Sequence, residues 1–327
     1  MLTLGSTPES GMGRWDLADK TRVSSEIEAL RPLEKRALGA ASFGAIYRFV
    51  MRKPLGAVAG MVLILLLLTA VFAPQVAPHD PLQAFYRHSL KPPSLTARPG
   101  MERPFLFGTD QIGRDVFSRI IFGARVSLTV GFGAVSLGVT VGTVWGLISG
   151  YFGGKVDLII QRFMDAIQTV PALLVAMVLV AMLGGSVFNV ILAIGFIQQA
   201  RANRVVRGSV LSVKQNAFVE AATAMGASHR RIMLRHVLPN ILAPLVIIIS
   251  VDLGAAILIE ASLSFLGVGI APPTPTWGGM LSAEGRAFLE RAPWMGIFPG
   301  VAISLVVLAF NLLGDSLRDI LDPRLRT

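Results

Sequence analysis

Six long apolar stretches constrain this chain more than any other feature of its sequence. They cover about residues 56–73, 126–150, 166–183, 187–199, 237–259 and 295–313. A helix needs about 20 apolar residues to cross a hydrocarbon layer about 30 Å thick. The pattern therefore predicts an all-α, polytopic membrane protein with six transmembrane helices. The fourth stretch continues toward Arg204 and is the most polar, because Gln198 and Gln199 lie near its end. A re-entrant segment is the alternative there.

The composition excludes several other classes of protein. Hydrophobic residues make up 53% of the 327 residues and charged residues 15%, whereas soluble domains carry about 25% charged residues. The chain has no cysteine, which rules out disulfides, thiol nucleophiles and thiolate metal sites. We find no phosphate-binding loop, no hydrolase motif and no metal-ligand spacing among the four histidines. We therefore expect this chain to have no catalytic site and to bind no cofactor itself.

The distribution of lysine and arginine predicts the orientation. Basic residues precede the first span and recur in the loop at 200–236 and in the tail, and the net charge is +10. Because cytoplasmic loops carry excess Lys and Arg, we expect both termini to be cytoplasmic. The loop at 74–125 is also basic, but long loops follow this rule poorly, and the opposite orientation is the alternative.

The predicted organisation has five parts. They are a partly disordered cytoplasmic segment at 1–54, an anchor at 55–73, an outer loop with an interfacial helix at 74–125, a transmembrane core at 126–315 with a cytoplasmic loop at 200–236, and a cytoplasmic tail at 316–327. The polar stretch before the first span is too long for a signal-peptide n-region, so we expect that span to be retained.

The cytoplasmic loop contains a short amphipathic pattern. Phe218, Ala221, Ala222 and Met225 recur at i, i+3, i+4 and i+7, which is one face of a helix. Asn216 is a candidate N-cap and Gly226 a stop, and Ser228 can cap a second helix that runs into the fifth span. We predict that the small alanine side chains on one side of this helix allow the backbone of another protein to approach closely. A connector lying on the membrane surface is the alternative.

Residues 220–226, Glu-Ala-Ala-Thr-Ala-Met-Gly, together with Ile232 and Leu238-Pro239, resemble the EAA loop of ABC-importer permeases. Segments 108–128, 260–278 and 310–324 resemble the C-type subunit of the dipeptide/oligopeptide/nickel permease group. The resemblance implies one N-terminal anchor and a five-helix type I importer permease core. It also implies that the loop helix docks on a cytoplasmic ATPase. The residues that it assigns to this coupling are Phe218, Glu220, Ala221, Ala222, Met225, Gly226, Ile232, Leu238 and Pro239.

The same resemblance implies the assembly. This chain forms half of a translocation pathway for peptides or related small solutes in the inner (plasma) membrane of a prokaryote. Its implied partners are a paralogous B-type permease, one or two ABC ATPases that bind ATP and Mg, an extracytoplasmic solute-binding protein and the lipid membrane, with no nucleic acid. Dipeptides, longer peptides and nickel chelates all remain open as solutes.

Further candidates lie outside the loop. The resemblance suggests an outer gate or binding-protein contact at Arg114, Asp115, Trp277 and Gly278. A structural charge pair for the first two and an interfacial aromatic belt for Trp277 are the alternatives. Asp252 lies within the fifth span, where ionisable residues are functional candidates. Its carboxylate is a candidate contact for a solute amine, and a hydrogen bond to a neighbouring helix or to cavity water is the alternative.

Two other functions remain to be weighed. An ion-coupled secondary transporter requires paired intramembrane charges and matched broken helices in two halves, whereas intramembrane charges are sparse here. A non-transporting membrane scaffold could use the same cytoplasmic helix as an adaptor.

Overall fold

The computed structural model describes residues 50–51, 53–282, 287–288 and 290–321. Nearly all of the predicted segment 1–54 and the end of the predicted tail, 322–327, lie outside the described residues. The helices are α1 (Pro54–Val71), α2 (Ala73–Val76), α3 (Val116–Phe152), α4 (Gly154–Thr169), α5 (Ala172–Leu183), α6 (Val187–Lys214), α7 (Ala217–Ala224), α8 (His229–Phe265), α9 (Trp277–Met280) and α10 (Trp294–Leu321). Described residues from Leu55 onward belong to one structural unit.

Four of these helices, α1, α3, α8 and α10, are long and apolar enough to cross a membrane. Many of their large apolar side chains are exposed, as expected for surfaces that face lipid. Helix α6 has 28 residues, about 42 Å at 1.5 Å per residue, but its second half is polar. The membrane-spanning, helical fold is thus confirmed, while the count of six spans stays a prediction.

The third predicted span, 166–183, is not one straight helix. Helix α4 ends at Thr169, α5 begins at Ala172, and the two axes differ by 88°. Pro171 explains the break, because proline lacks the backbone N–H that a helix interior needs and disfavours helical geometry in the residue before it. Together α4 and α5 form a fifth candidate span only if a bent pair crosses the membrane.

Helices α3 and α6 pack backbone to backbone along a row of glycines. Gly138, Gly142, Gly146 and Gly150 lie one turn apart on α3. A Cβ added at Gly142 would lie 2.5 Å from the carbonyl oxygen of Gln199, and one at Gly146 would lie 2.7 Å from the Cβ of Val206. Small residues at such spacing let membrane helices approach closely. This contact holds the polar helix α6 beside the apolar α3.

Helix α8 joins this pair through a buried carboxyl group. The side chain of Glu260 is fully buried and accepts hydrogen bonds from Ser127 on α3 and Ser264 on α8, both at 2.9 Å. Helix α8 also packs on α6 and α10. Because a buried polar group without partners is costly, these bonds fix the relative position of α3 and α8.

The interfacial helix predicted before the second span is not a separate element. Its residues from Val116 onward form the first turns of the 37-residue helix α3. Asp115 is the N-cap and accepts bonds from the backbone N–H groups of Phe117 and Ser118. Such a cap satisfies donors that the helix itself cannot, so the helix starts here and continues through the predicted span.

The α3–α6 contact predicts unequal effects of two matched substitutions. Gly142→Ala places a methyl group against α6, and we expect a loss of about 1–3 kcal/mol of stability from overpacking. Gly208→Ala adds the same methyl group where, among the described residues, no heavy atom beyond its neighbours and its own helix backbone lies within 4 Å, and it should be neutral or slightly stabilising. Thermal unfolding of the purified protein in detergent measures both. Equal melting temperatures for the two variants would contradict the packing argument.

Candidate functional site

Helix α7 lies between the ends of α6 and α8 and turns one face away from the rest of the chain. Phe218, Ala221 and Met225 are exposed, with Met225 at 81%. Val219 and Ala222 are buried in the same apolar cluster as Ile232. The predicted docking face therefore needs a correction. Ala222 packs inward against its own chain, and the outward face contains Phe218, Ala221 and Met225, while the exposed Glu220 lies beside the ends of α3 and α6.

The end of α7 is built as predicted around Gly226. Its φ angle is +76°, a conformation that glycine adopts at no steric cost. The N–H of Gly226 donates to the carbonyl of Thr223, and the N–H of Ala227 donates to the carbonyl of Ala222. This pair of bonds is the Schellman motif, which stops a helix and reverses the chain. Asn216 occupies the N-cap position without a side-chain capping bond.

Helix α8 begins irregularly where it meets α7. Ser228 caps it, accepting a bond from the backbone N–H of Arg231, as predicted. Residues Ile232–Val237 then form a π-helical turn, and Leu238–Ile241 form a 3₁₀ turn containing Pro239. Such turns within a long helix mark sites of strain or hinging. The predicted coupling residues Leu238 and Pro239 thus lie at a change of helical geometry, and Ile232 is buried at its start.

Hydrogen bonds and an ion pair connect α3, α4, α6 and α8 near α7. The hydroxyl of Tyr151 on α3 lies 2.8 Å from Nδ1 of His229, and Nζ of Lys214 donates to the carbonyl of Tyr151 at 2.6 Å. Arg207 makes two bonds of 2.6 Å to the carboxylate of Asp157 on α4, a bidentate geometry that also fixes orientation. A cleft of about 490 Å³ opens between these helix ends and α7.

The predicted outer residues serve the chain's own packing at the opposite end of α3. Arg114 donates to Asp110 at 2.6 Å, and Asp115, fully buried, caps α3. The indole N–H of Trp277 donates to the carbonyl of Ile120 at 2.9 Å. Gly278 is buried where a Cβ would collide with the backbone of Ala261. Trp277 therefore does not belong to an exposed interfacial belt. Asp115, Trp277 and Gly278 are thus buried by the chain's own loops, while a role in an outer gate, with Arg114, stays a prediction.

Asp252 on α8 is buried, and an arginine lies in front of it. Oδ1 of Asp252 is 3.0 Å from Nη1 of Arg201 on α6, with side chains 1% and 55% exposed respectively. The amide of Gln198 donates to the backbone carbonyl of Asp252 at 3.0 Å. The carboxylate of Asp252 thus contacts the neighbouring helix α6 through an ion pair, while the predicted side-chain hydrogen bond to a helix or to cavity water stays a prediction. Direct contact between a solute amine and this buried carboxylate is not possible in this conformation.

Several of these residues were not identified from the sequence as site residues. Tyr151 and Asp157 act through partners distant in sequence, which no local pattern identifies, whereas Glu260 was a candidate because it is an ionisable residue in a predicted span. Arg201, Arg204 and Arg207 were treated as loop charges that fix orientation. Their spacing of three residues was an available signal, because it places them on neighbouring faces of one helix.

Comparison with known proteins decides the family. Residues 142–327 match the family of binding-protein-dependent transport system inner membrane components, and residues 44–93 match the N-terminal transmembrane domain of oligopeptide transport permease C. The chain is 41% identical over 308 residues to a dipeptide transport system permease protein of Alkalihalophilus pseudofirmus, covering 94% of this chain and 92% of the relative.

The chain belongs to this permease family. Glutathione transport system permease proteins of Escherichia coli and Shigella sonnei are each 41% identical over 281 residues, covering 86% of the permease and 90% of each relative. The predicted resemblance is thus confirmed. The permease is a multi-pass membrane subunit of an ABC importer. An ion-coupled carrier and a non-transporting scaffold are set aside.

The two faces of α7 predict opposite outcomes for neighbouring alanines. Ala222→Trp forces an indole into a site that is 2% exposed, and overpacking of this kind costs about 1–3 kcal/mol or more. Ala221→Trp adds the same group to the exposed face and should leave folding unchanged. The yield of monodisperse protein and its melting temperature in detergent compare them. If Ala222→Trp is as stable as Ala221→Trp, the assigned orientation of α7 is wrong.

Proposed function

We propose that the permease couples to a cytoplasmic ATPase through the exposed face of α7. The observation that supports this is a short helix that buries Val219 and Ala222 in its own chain while Phe218 and Met225 remain exposed. Helix-in-groove recognition uses apolar anchors at this spacing. Glu220 is also exposed, beside the cleft at the helix ends, and supplies a charge that can select the partner.

The assembly that we propose has this permease and a paralogous B-type permease in the inner membrane, one or two ATPases below them and a solute-binding protein outside. ATP and Mg bind to the ATPases rather than to this chain. Both termini and α7 lie in the cytoplasm, and the loop between α2 and α3 lies outside. The basic residues at the end of α6, Arg207 and Lys214, and those at the start of α8 support this orientation.

Transport in such a complex requires two arrangements of the helices and a partner that favours one of them. ATPase closure moves α7, and its buried side chains transmit that motion to Ile232 and the first turns of α8. The Schellman motif at Gly226 keeps the two helices at a fixed angle, so that α7 and the start of α8 move together. The solutes that we propose are peptides or related small molecules, in agreement with the names of the dipeptide and glutathione relatives.

Crosslinking tests the docking face directly. The chain has no native cysteine, so Met225→Cys introduces its only thiol. With a benzophenone maleimide on that thiol, we expect light-dependent crosslinks to an ATPase in assembled complexes that carry out ATP-driven uptake. Leu95→Cys, 86% exposed in the loop between α2 and α3, is the matched control and should capture no ATPase. Failure of Met225→Cys in an active complex would refute docking through this face.

The same single-cysteine variants test the orientation. A membrane-impermeant maleimide should label Leu95→Cys in intact right-side-out vesicles and Met225→Cys only after the membrane is opened. The reverse pattern would show that the loop carrying α7 faces outward, and an ATPase could not then reach it.

Steric bulk on the docking face should separate ATP hydrolysis from transport. We expect Ala221→Trp to lower uptake about tenfold, as for a loss of about 1.4 kcal/mol in docking, while the complex still assembles. Uptake of dialanine and glutathione by reconstituted vesicles, beside ATP turnover, measures this. Gly226→Asp, which strains the turn after α7, should act in the same direction. Normal ATP-driven uptake in both variants would contradict the coupling role.

A further inference from the structure

Two arginines lie midway along α6, where a charged side chain exposed to lipid would be energetically costly. Arg201 and Arg204 lie on adjacent faces near the middle of that helix, and α6 packs along the apolar α3. Their side chains are 55% and 59% exposed. An arginine that faces lipid near the bilayer centre is costly, and charged residues there face a protein interior or a water-filled cavity instead. We expect this face of α6 not to face lipid, because the fourth apolar stretch predicts that α6 crosses the membrane.

Three buried side-chain oxygens beside Arg201 have no hydrogen-bond partner among the described residues. Neither carboxylate oxygen of Asp252 has a partner of hydrogen-bond geometry among the described residues, and Oε1 of the buried Gln198 likewise has none there. The ion pair with Arg201, at 3.0 Å, neutralises the Asp252 charge, but its geometry is not that of a hydrogen bond to either carboxylate oxygen. Buried polar atoms in native proteins normally pair with protein, ordered water or a ligand. Because Asp252 is 1% exposed behind the guanidinium, ordered water, and not solute, is the partner that can reach these atoms.

The donors of Arg201 are only partly used. A guanidinium has five N–H donors arranged in a planar fork, and the contact that the described residues show for Arg201 is that of Nη1 with Oδ1 of Asp252. More than half of the side chain is exposed beyond that contact. This geometry suits a carboxylate, which arginine binds with two parallel hydrogen bonds. An amine would be repelled by the guanidinium and blocked from Asp252, whose side chain is 1% exposed.

We propose that Arg201 binds the carboxylate of a peptide-like solute in the translocation pathway, with Asp252 as its internal counter-ion. This inference rests on the proposed function, because it needs the exposed face of α6 to line the pathway. In the empty pathway, Asp252 holds the guanidinium in place and removes the cost of an unpaired charge. When solute arrives, the free donors of Arg201 bind its carboxylate. Asp252 is a positioning residue and does not touch the solute.

The test compares solutes that differ only in that carboxylate. The probes are dialanine and its C-terminal amide, and glutathione and its glycine amide. The complete importer is reconstituted in vesicles, with each probe at a concentration that saturates the solute-binding protein, as checked by calorimetry on that protein alone. The measured quantity is the ratio of the maximal ATP-driven uptake rates of acid and amide. We expect the wild-type complex to favour the acid by about tenfold, the effect of one charge-assisted bond.

Three variants separate a binding role from a structural one. Arg201→Gln alone leaves a buried unpaired carboxylate and can fail to fold. Therefore Arg201→Gln combined with Asp252→Asn removes both charges and should bring the acid-to-amide ratio close to one while ATP-driven uptake continues. Asp252→Asn alone should keep or raise the preference for the acid, because Arg201 remains. Arg204→Gln, the same charge change beside the exposed Asp165, should leave the ratio unchanged.

The outcomes distinguish this inference from the proposed function. An unchanged ratio in the double variant would overturn the inference, and so would a ratio lost equally in Asp252→Asn or Arg204→Gln. In each of these cases ATP-driven uptake itself continues, so the proposed function stands. Absence of ATP-driven uptake of all four probes by an assembled wild-type complex would instead overturn the proposed solute class, and this inference with it.

Discussion

Four glycines spaced one turn apart let the backbone of α3 touch that of α6, and much else in the permease depends on that contact. Helix α6 carries Gln198, Asn203 and Arg201, which a helix in lipid could not display freely. Packed against α3, it buries Gln198 and Asn203 and directs Arg201 toward α8. A larger residue at any of these glycines would separate the two backbones. The polar face of α6 would then lose its protein surroundings.

Helix α8 completes this arrangement with polar bonds instead of close backbone contact. Glu260 bonds to Ser127, and the backbone of Asp252 accepts a bond from Gln198. Between membrane helices, association relies on packing and hydrogen bonds because lipid is as apolar as the side chains themselves. The first bond joins α8 to α3, and the second joins α8 to α6. The two contacts are on different neighbours, so they restrict rotation of α8 as well as its separation from them.

Local features of this protein could be predicted from the sequence, and distant pairings could not. Apolar runs located the long helices, and the stop at Gly226 and the cap at Ser228 depend on a few adjacent residues. Helical periodicity placed Ala222 with Ala221, although neighbouring positions differ by about 100° around a helix. Only the burial of Ala222 in the apolar cluster that contains Ile232 decides between them. Pro171 was a visible signal of the break between α4 and α5. The ion pair of Arg201 with Asp252 joins two helices that are distant in the sequence, so no local sequence pattern predicts it.

The outer residues also show that the sequence does not determine which groups a side chain contacts. Arg114, Asp115 and Trp277 stand out in the sequence because they are polar or aromatic beside a predicted span, which equally suits an external contact. Their burial results from loops that fold back over the helix ends, where Asp110 and the carbonyl of Ile120 become available as partners. A family resemblance identifies such residues as important without saying whether they face a partner or their own chain.

The irregular start of α8 links the two proposed sites. In the π turn, the N–H of Leu238 bonds to the carbonyl of Met233, and Pro239 has no N–H to offer. Helices bend most readily where the regular bonding ladder is interrupted in this way. Asp252 lies beyond this segment on the same helix, whereas Arg201 lies on α6, held to α3 by the glycine contact. A tilt of α8 about the π turn moves the Asp252 carboxylate relative to Arg201 only if it also breaks the bond between Gln198 and the carbonyl of Asp252. By that route, movement of α7 by an ATPase would alter how strongly Arg201 is neutralised, and thus how tightly it holds an anionic group in the pathway.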